Sequence, residues 1–351
     1  MPIHKSAYAF RLEGEPITCA PFGNGHINQT YMITTSHARS YVLQHINKKV
    51  FHDPVSLMEN AVGVTGHIRA KGANALRFIP TQSGGFCHRD GKGEFWRCTE
   101  FVGGLCLDAA ETVDDFYQSG LAFGQFQHQL SDYPAETLAE TIPNFHNTPA
   151  RYDQLKAAIA ENRSGRLDQC REEVAFYLSQ EELGSRLQAM REAGQLPLRV
   201  THNDTKLNNV LLDPVTHAPL CVLDLDTVMP GLSAYDFGDS IRFGAATAAE
   251  DEPDASKMKL DLQLFEAFAR GFLEGAPSLT EAEIKALPLG AFTMTLECGS
   301  RFLADFLNGD TYFRTHYPEH NLIRCRTQMA MCNDMLAQWQ QMEAIIATLR
   351  P

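Results

Sequence analysis

The chain has 351 residues, 44% of them apolar, which is enough for two lobes and a sizeable core. Acidic residues outnumber basic ones 43 to 30, a formal net charge of −13, and this excludes a general nucleic-acid or anionic-membrane surface. No apolar run approaches the roughly 20 residues that span a bilayer, and the N-terminus lacks the basic-then-apolar order of a signal peptide, so a cytoplasmic protein is expected.

The first hundred residues read as strands with tight turns: "APFGNGHINQTYMIT", "RSYVLQHI" and a Gly-punctuated hairpin region turning at Asp90-Gly91. One helix interrupts them. Asp53 is placed to cap it and Pro54 to occupy its first position, with Leu57, Met58, Val62 and Ile68 near one face and Glu59 in the middle. From about residue 103 the apolar spacing becomes helical, as in Val113, Phe116, Tyr117, Leu121 and Phe123, and again over the last thirty residues. An α+β chain is expected, with a sheet lobe over 1–102 and a mostly helical lobe over 103–351. The charge-rich region 131–196 reads as a helical insertion or lid. Nine scattered cysteines with no Cys-x-x-Cys spacing read as reduced packing residues.

The strongest chemical signal is "VTHNDTKLNNVLLD" followed by "PLCVLDLDTV". Phosphoryl transfer needs a carboxylate to orient or deprotonate the acceptor hydroxyl, and oxygen ligands for the magnesium that bridges the phosphates. His202 precedes Asp204, Asn209 follows five residues later, and Asp224 ends an apolar run twenty residues beyond Asp204. Singly these are a turn former, a cap and a strand end. Jointly they predict Asp204 as base, with Asn209 and Asp224 on Mg2+. Gly23 and Gly25 in "FGNGHIN" would let the backbone approach the phosphates of ATP. On the strand "YVLQHI", Gln44 stands where a kinase carries the lysine that Glu59 would pair with, which weakens the expected phosphate clamp. That substitution is the one feature favouring a nucleotide-binding pseudokinase. The tripeptide Asp-Phe-Gly at 236–238 matches the magnesium motif of protein kinases in letters, but it follows a turn rather than a buried strand.

These motifs, with "DPVSLMEN", "VLDLDTVMPG", "DFGDSIR" and "RFLADFLNGDTYF", resemble the aminoglycoside phosphotransferase and choline kinase superfamily over nearly the whole length. The resemblance implies a two-lobed, protein-kinase-like fold with ATP in the cleft. Within the superfamily the chain looks like the kinases that phosphorylate the C1 hydroxyl of N-acetylhexosamines (GlcNAc or GalNAc). It implies nucleotide contacts at Gly23, Gly25, Asn28, Gln44 and Glu59, with the backbone of Glu100 and Val102 in "TEFVGG" at the adenine edge. Asp226, where a kinase has glycine, becomes a further metal or supporting carboxylate, its alternative being a solvated turn residue. Asp236 is implied to hold the catalytic loop through its backbone. For the sugar, the expected residues are His26 in the Gly loop, Phe243, Arg301 and Tyr312; Arg301 and Asp305, four apart, could instead form a surface ion pair. The segment 300–326 holds four arginines against three acidic residues, which suits a neutral sugar better than a polycation or choline. Choline, homoserine or another sugar remain the alternative acceptors. The expected partners are thus a small sugar and ATP, without nucleic acid or membrane.

Overall fold

Alternating apolar and polar residues in the N-terminal third become a five-stranded antiparallel sheet in the computed structural model, which describes residues 4–23 and 27–349. Its strands are β1 (Pro16–Pro21), β2 (Gln29–Thr35), β3 (Ser40–Ile46), β4 (His88–Arg89) and β5 (Phe95–Glu100), in the order β1-β2-β3-β5-β4. One face carries Ile33, Tyr41, Leu43, Trp96 and Cys98, which pack with Ala7, Phe10 and Ile79 into a core. The period of two then sends Thr30, Gln44, Arg97 and Thr99 to the opposite face. The hairpin β4–β5 closes with the Asp90 amide donating to the Glu94 carbonyl at 2.8 Å.

Helix α1 (Pro54–Ala70) begins where the proline and its cap require. Asp53 accepts from the Val55 and Ser56 amides at 3.1 and 3.2 Å. Leu57, Met58, Ala61, Val64 and Ile68 are buried, and so is Asn60. The Asn60 amide donates to the carbonyls of Ala139 (2.8 Å) and Val228 (3.0 Å) and accepts from the Ala139 amide (3.0 Å). That fastening draws later chain into the first unit.

The chain divides into two compact units. The first runs to Leu105 and adds Asp132–Pro143 and Leu211–Pro230; the second comprises Cys106–Ser131, Asn144–Val210 and the chain from Gly231 on. This differs from a single boundary after residue 102, because two later segments return to the sheet unit. Region 131–196 is divided in the same way, Asp132–Pro143 joining the sheet unit and the rest the helical one. The second unit is helical, with α2 (Val113–Gln129), α3 (Thr148–Glu161) and the helices Ser233–Gly244, Leu262–Gly275, Glu281–Asn308 and His320–Ala337. The short strand β6 (Arg199–Thr201) leads into the motif that contains Asp204 and Asn209. All nine cysteines are free, six of them buried. Among the described residues, no helix is long and apolar enough to cross a membrane.

Helix α2 and the helix Leu262–Gly275 approach backbone to backbone. A Cβ on Gly120 would lie 2.3 Å from the Phe268 carbonyl oxygen, and one on Gly271 would lie 2.1 Å from that of Tyr117. Neither backbone can move away without unpacking the helix pair, so Gly271→Ala should cost about 2–3 kcal/mol. Gly66, exposed in α1 with nothing within 4 Å of its Cβ position, gives the opposite expectation, a gain of about 0.5–1 kcal/mol for Gly66→Ala. Thermal unfolding of both variants beside the wild type checks the contrast; equal melting temperatures would contradict the close approach.

Candidate active site

The second unit builds the catalytic segment on the end of β6. Asn203 takes a left-handed backbone, φ 65°, unusual for a residue with a Cβ, and buried partners hold it there. Asp236, on the helix Ser233–Gly244, is fully buried. Its Oδ1 accepts the Asn203 amide at 2.8 Å, and its Oδ2 accepts the His202 amide at 2.9 Å and Nε2 of Gln127 at 2.6 Å. Thr205 Oγ1 donates to the Asp236 carbonyl (2.6 Å), the Thr205 amide to Asp239 Oδ2 (3.0 Å), and Ser240 Oγ to the Thr205 carbonyl (2.6 Å). One helix thus fixes both sides of residue 204. Burial pushes the Asp236 carboxyl above the usual range, against the pull of these donors.

Asp204, at the apex, remains partly exposed. Its Oδ1 lies 2.8 Å from the Lys206 ammonium, and its Oδ2 accepts from Asn209 Nδ2 at 3.2 Å, while the same Nδ2 donates to the Asp204 carbonyl at 2.8 Å. The amide of Asn209 is thereby oriented, leaving Oδ1 as the atom that could ligate a metal. Burial pulls Lys206 down, yet the Asp204 and Asp239 carboxylates outweigh it and hold the ammonium above its ordinary value. The sequence spacing singled out Asp204 and Asn209 but not Lys206, although it lies inside the motif.

Also in this unit, the Arg301 guanidinium faces three aromatic rings, Phe145 (5.7 Å), Tyr312 (5.7 Å) and Phe313 (5.4 Å), and donates to the Tyr312 hydroxyl at 3.4 Å. It does not pair with Asp305. Instead the Asp305 carboxylate accepts the backbone amides of Thr311, Tyr312 and Phe313 at 2.9–3.0 Å, so the surface ion pair gives way to a loop anchor. Tyr312 is 69% exposed on that loop. Phe243 is exposed at the end of the helix Ser233–Gly244 and joins none of these ring contacts. His146, in the region whose role the sequence left open, bridges Glu297 (2.9 Å) and the Asn203 carbonyl (3.3 Å).

The first unit carries the remaining expected residues. Gly25 and His26 lie outside the described residues. Gly23 has φ 73° with open space at its Cβ position. Asp224 is also left-handed, φ 50°. Asp226 is not a solvated turn residue: it is buried and both carboxylate oxygens have protein partners, Oδ1 the Arg97 guanidinium and Oδ2 Nδ2 of Asn28 at 2.6 Å. The Asn28 amide is likewise engaged at both ends, since its Oδ1 accepts the Asn47 amide at 3.0 Å. Glu59 is exposed and makes no bond to Gln44; Gln44 Oε1 accepts from Arg97 (2.9 Å) and its Nε2 donates to Thr30 (3.1 Å). The Glu100 amide donates to the Arg77 carbonyl at 2.9 Å, so of this residue only the carbonyl could face an adenine. Phe22 and Phe101, both about 40% exposed, meet edge to face at 5.8 Å. Among the described residues no group of three or more His, Cys, Asp or Glu side chains makes a metal site.

The sequence model of the phosphotransferase enzyme family matches residues 18–274. The chain belongs to that family. Solved structures similar to it include a microcompartment-associated aminopropanol kinase (16% identity, TM-score 0.62, 97% of each chain covered). An amicoumacin kinase in complex with AMP-PNP, Ca2+ and Ami is similar at 12% identity and a TM-score of 0.61, over 93% of this chain and 91% of that one. Choline kinase from Cryptosporidium parvum Iowa II is similar at 13% identity and a TM-score of 0.55, over 94% and 92%. At these identities the likeness is one of fold: an antiparallel sheet followed by a mostly helical part, as in other members of the phosphotransferase enzyme family.

In such an enzyme the loop anchor and the reacting carboxylate separate cleanly. Asp236→Asn replaces one acceptor oxygen by a donor facing a backbone amide, and should cost about 2–4 kcal/mol of stability. Its turnover should fall, while the nucleotide KM stays within about threefold because no nucleotide contact is touched. Urea unfolding together with steady-state kinetics tests this; a selective loss of metal dependence at unchanged stability would instead make Asp236 a ligand.

Proposed function

We propose that this phosphotransferase is an ATP-dependent anomeric kinase that phosphorylates the C1 hydroxyl of N-acetylhexosamines. The observation that carries the chemistry is Asp204, partly exposed, with Lys206 and Asn209 on its two oxygens. A carboxylate fixed in this way accepts the proton of a hydroxyl placed before it and leaves the oxygen free to attack phosphorus. The acceptor assignment rests on Arg301, which sits among Phe145, Tyr312 and Phe313. Aromatic faces suit the C–H side of a sugar ring, and a guanidinium suits hydroxyl and acetamido oxygens. A cation there disfavours choline and other cationic acceptors, for which acids would be needed. His26 and Phe243 complete the proposed acceptor residues.

For ATP, Gly23 and Gly25 would admit the phosphates, with the Glu100 carbonyl and Val102 amide at the adenine edge and the exposed rings of Phe22 and Phe101 beside it. Gln44 and Glu59 belong to the same nucleotide region, Glu59 without a lysine partner at position 44. Asn209 and Asp224 offer only oxygen donors, which fits a small hard cation such as magnesium; with so few side-chain ligands, water and phosphate oxygens would fill the other positions. When bound, such an ion neutralises charge on the phosphates. The protein's own part is to orient Asp204, hold the acceptor and exclude water.

Incubation with ATP, magnesium and N-acetylglucosamine or N-acetylgalactosamine, followed by phosphorus NMR of the product, tests the reading. A phosphate on C1 is expected; phosphate on C6, no transfer, or preferential transfer to choline or homoserine would refute it. Asp204→Asn should lower kcat about 10²–10⁴-fold while nucleotide affinity is retained.

A further inference from the structure

Arg97 is the only arginine or lysine among the described residues of the first unit that is buried, and the reaction described above leaves it without a role. It stands in the middle of β5, directly opposite Gln44 on β3. A hydrogen-bonded polar row crosses three strands there, from Arg97 to Gln44 to Thr30, on the face away from the apolar core. The guanidinium ends this row on Asp226, with both side chains almost fully buried, and Asp224 adds to the field that holds Arg97 charged. A buried arginine and a buried carboxylate each cost stability when unpaired, and here each offsets the other, with Asp224 as a second acid near Arg97.

The segment Asp224-Leu225-Asp226 brings two carboxylates within three residues, in the region proposed to meet the anionic phosphates. Gln44 contributes no charge against them. Resting on the kinase reading, we propose that Arg97 is the charge-balancing residue of the nucleotide site. It supplies from β5 the cation that β3 lacks, so that Arg97, Asp224 and Asp226 together present one net negative charge to the phosphates rather than two. Arg97 acts through Asp226 and is a positioning residue. Moving the cation one strand over also couples the sheet to residues 224–226 through a planar fork with fixed direction.

The test is a charge cycle read by nucleotide binding. Displacement of trinitrophenyl-ATP by ATP in EDTA, with thermal unfolding on the same samples, reports affinity without metal or turnover. Arg97→Gln should weaken binding about tenfold or more, because one net charge is added at short range in a low-dielectric site. Arg97→Gln/Asp226→Asn restores the net charge and should return to within about threefold of wild type. Asp226→Asn alone removes an acid and should bind more tightly than wild type. A merely structural ion pair predicts the reverse for Asp226→Asn, with affinity falling alongside melting temperature. That result, or a double variant as weak as Arg97→Gln, overturns the inference. Where Arg97→Gln does not fold, Asp226→Asn and the double variant still decide between the two. Wild-type protein that binds no adenine nucleotide overturns the kinase reading, and this inference with it.

Discussion

The carboxylate of Asp236 accepts the amide hydrogens of His202 and Asn203, and the catalytic segment owes its shape to that pair of bonds. A left-handed residue with a side chain is held only where its surroundings over-determine it. Here the same carboxylate also binds Gln127, whose other amide atom accepts from Ser233; Ser233 reaches Glu283, and Glu283 pairs in two places with Arg199 at the start of β6. Strand, loop and three helices are joined into one buried polar network. Such a network is rigid because breaking any bond strands a buried polar group.

Asp226 has the corresponding position in the sheet unit. It gathers Asn28 just after the glycine loop, Arg97 from β5 and, through its carbonyl, the hydroxyl of Thr141. In both units a buried acid has both carboxylate oxygens taken up by protein donors, backbone amides and Gln127 at Asp236 and two side chains at Asp226. Asp204, by contrast, stays partly exposed, whereas Asp236 in the tripeptide at 236–238 is fully buried. Glu283 and Glu297 extend the pattern. Burial raises each, but Arg199 and His146 with neighbouring donors outweigh it and hold both below the usual carboxylate range. Stability from these two groups is therefore present above their unfolded values and is lost as pH falls through the folded ones.

Much of this was legible in the residues where the pattern is local. Asp204, Asn209 and Asp224 sit at intervals that a loop between two short strands imposes, and the strands Val210–Leu212 and Pro219–Val222 do form a small sheet. Asp53 and Pro54 likewise announced the start of α1. Contacts between residues far apart in sequence were not legible. Arg97 could have drawn notice as a charge within the apolar run "FWRCTE", yet its carboxylate partner lies 129 residues away. Asn60 adjoins the more conspicuous Glu59, but the helical period turns Asn60 inward and Glu59 out. The return of Asp132–Pro143 and Leu211–Pro230 to the sheet unit depends on such bonds, which leave no periodic trace.

The loop at 311–313 hangs mainly by its backbone from Asp305, with only the Thr311 hydroxyl adding a long side-chain contact at 3.5 Å. Loop conformation and loop chemistry are consequently independent variables at this place. Replacing the ring at 312 alters what the loop offers an incoming molecule while its attachment is untouched. Selection can then change what the loop presents by single substitutions without first repairing the fold, and a common scaffold can diversify at this loop faster than its buried parts can change.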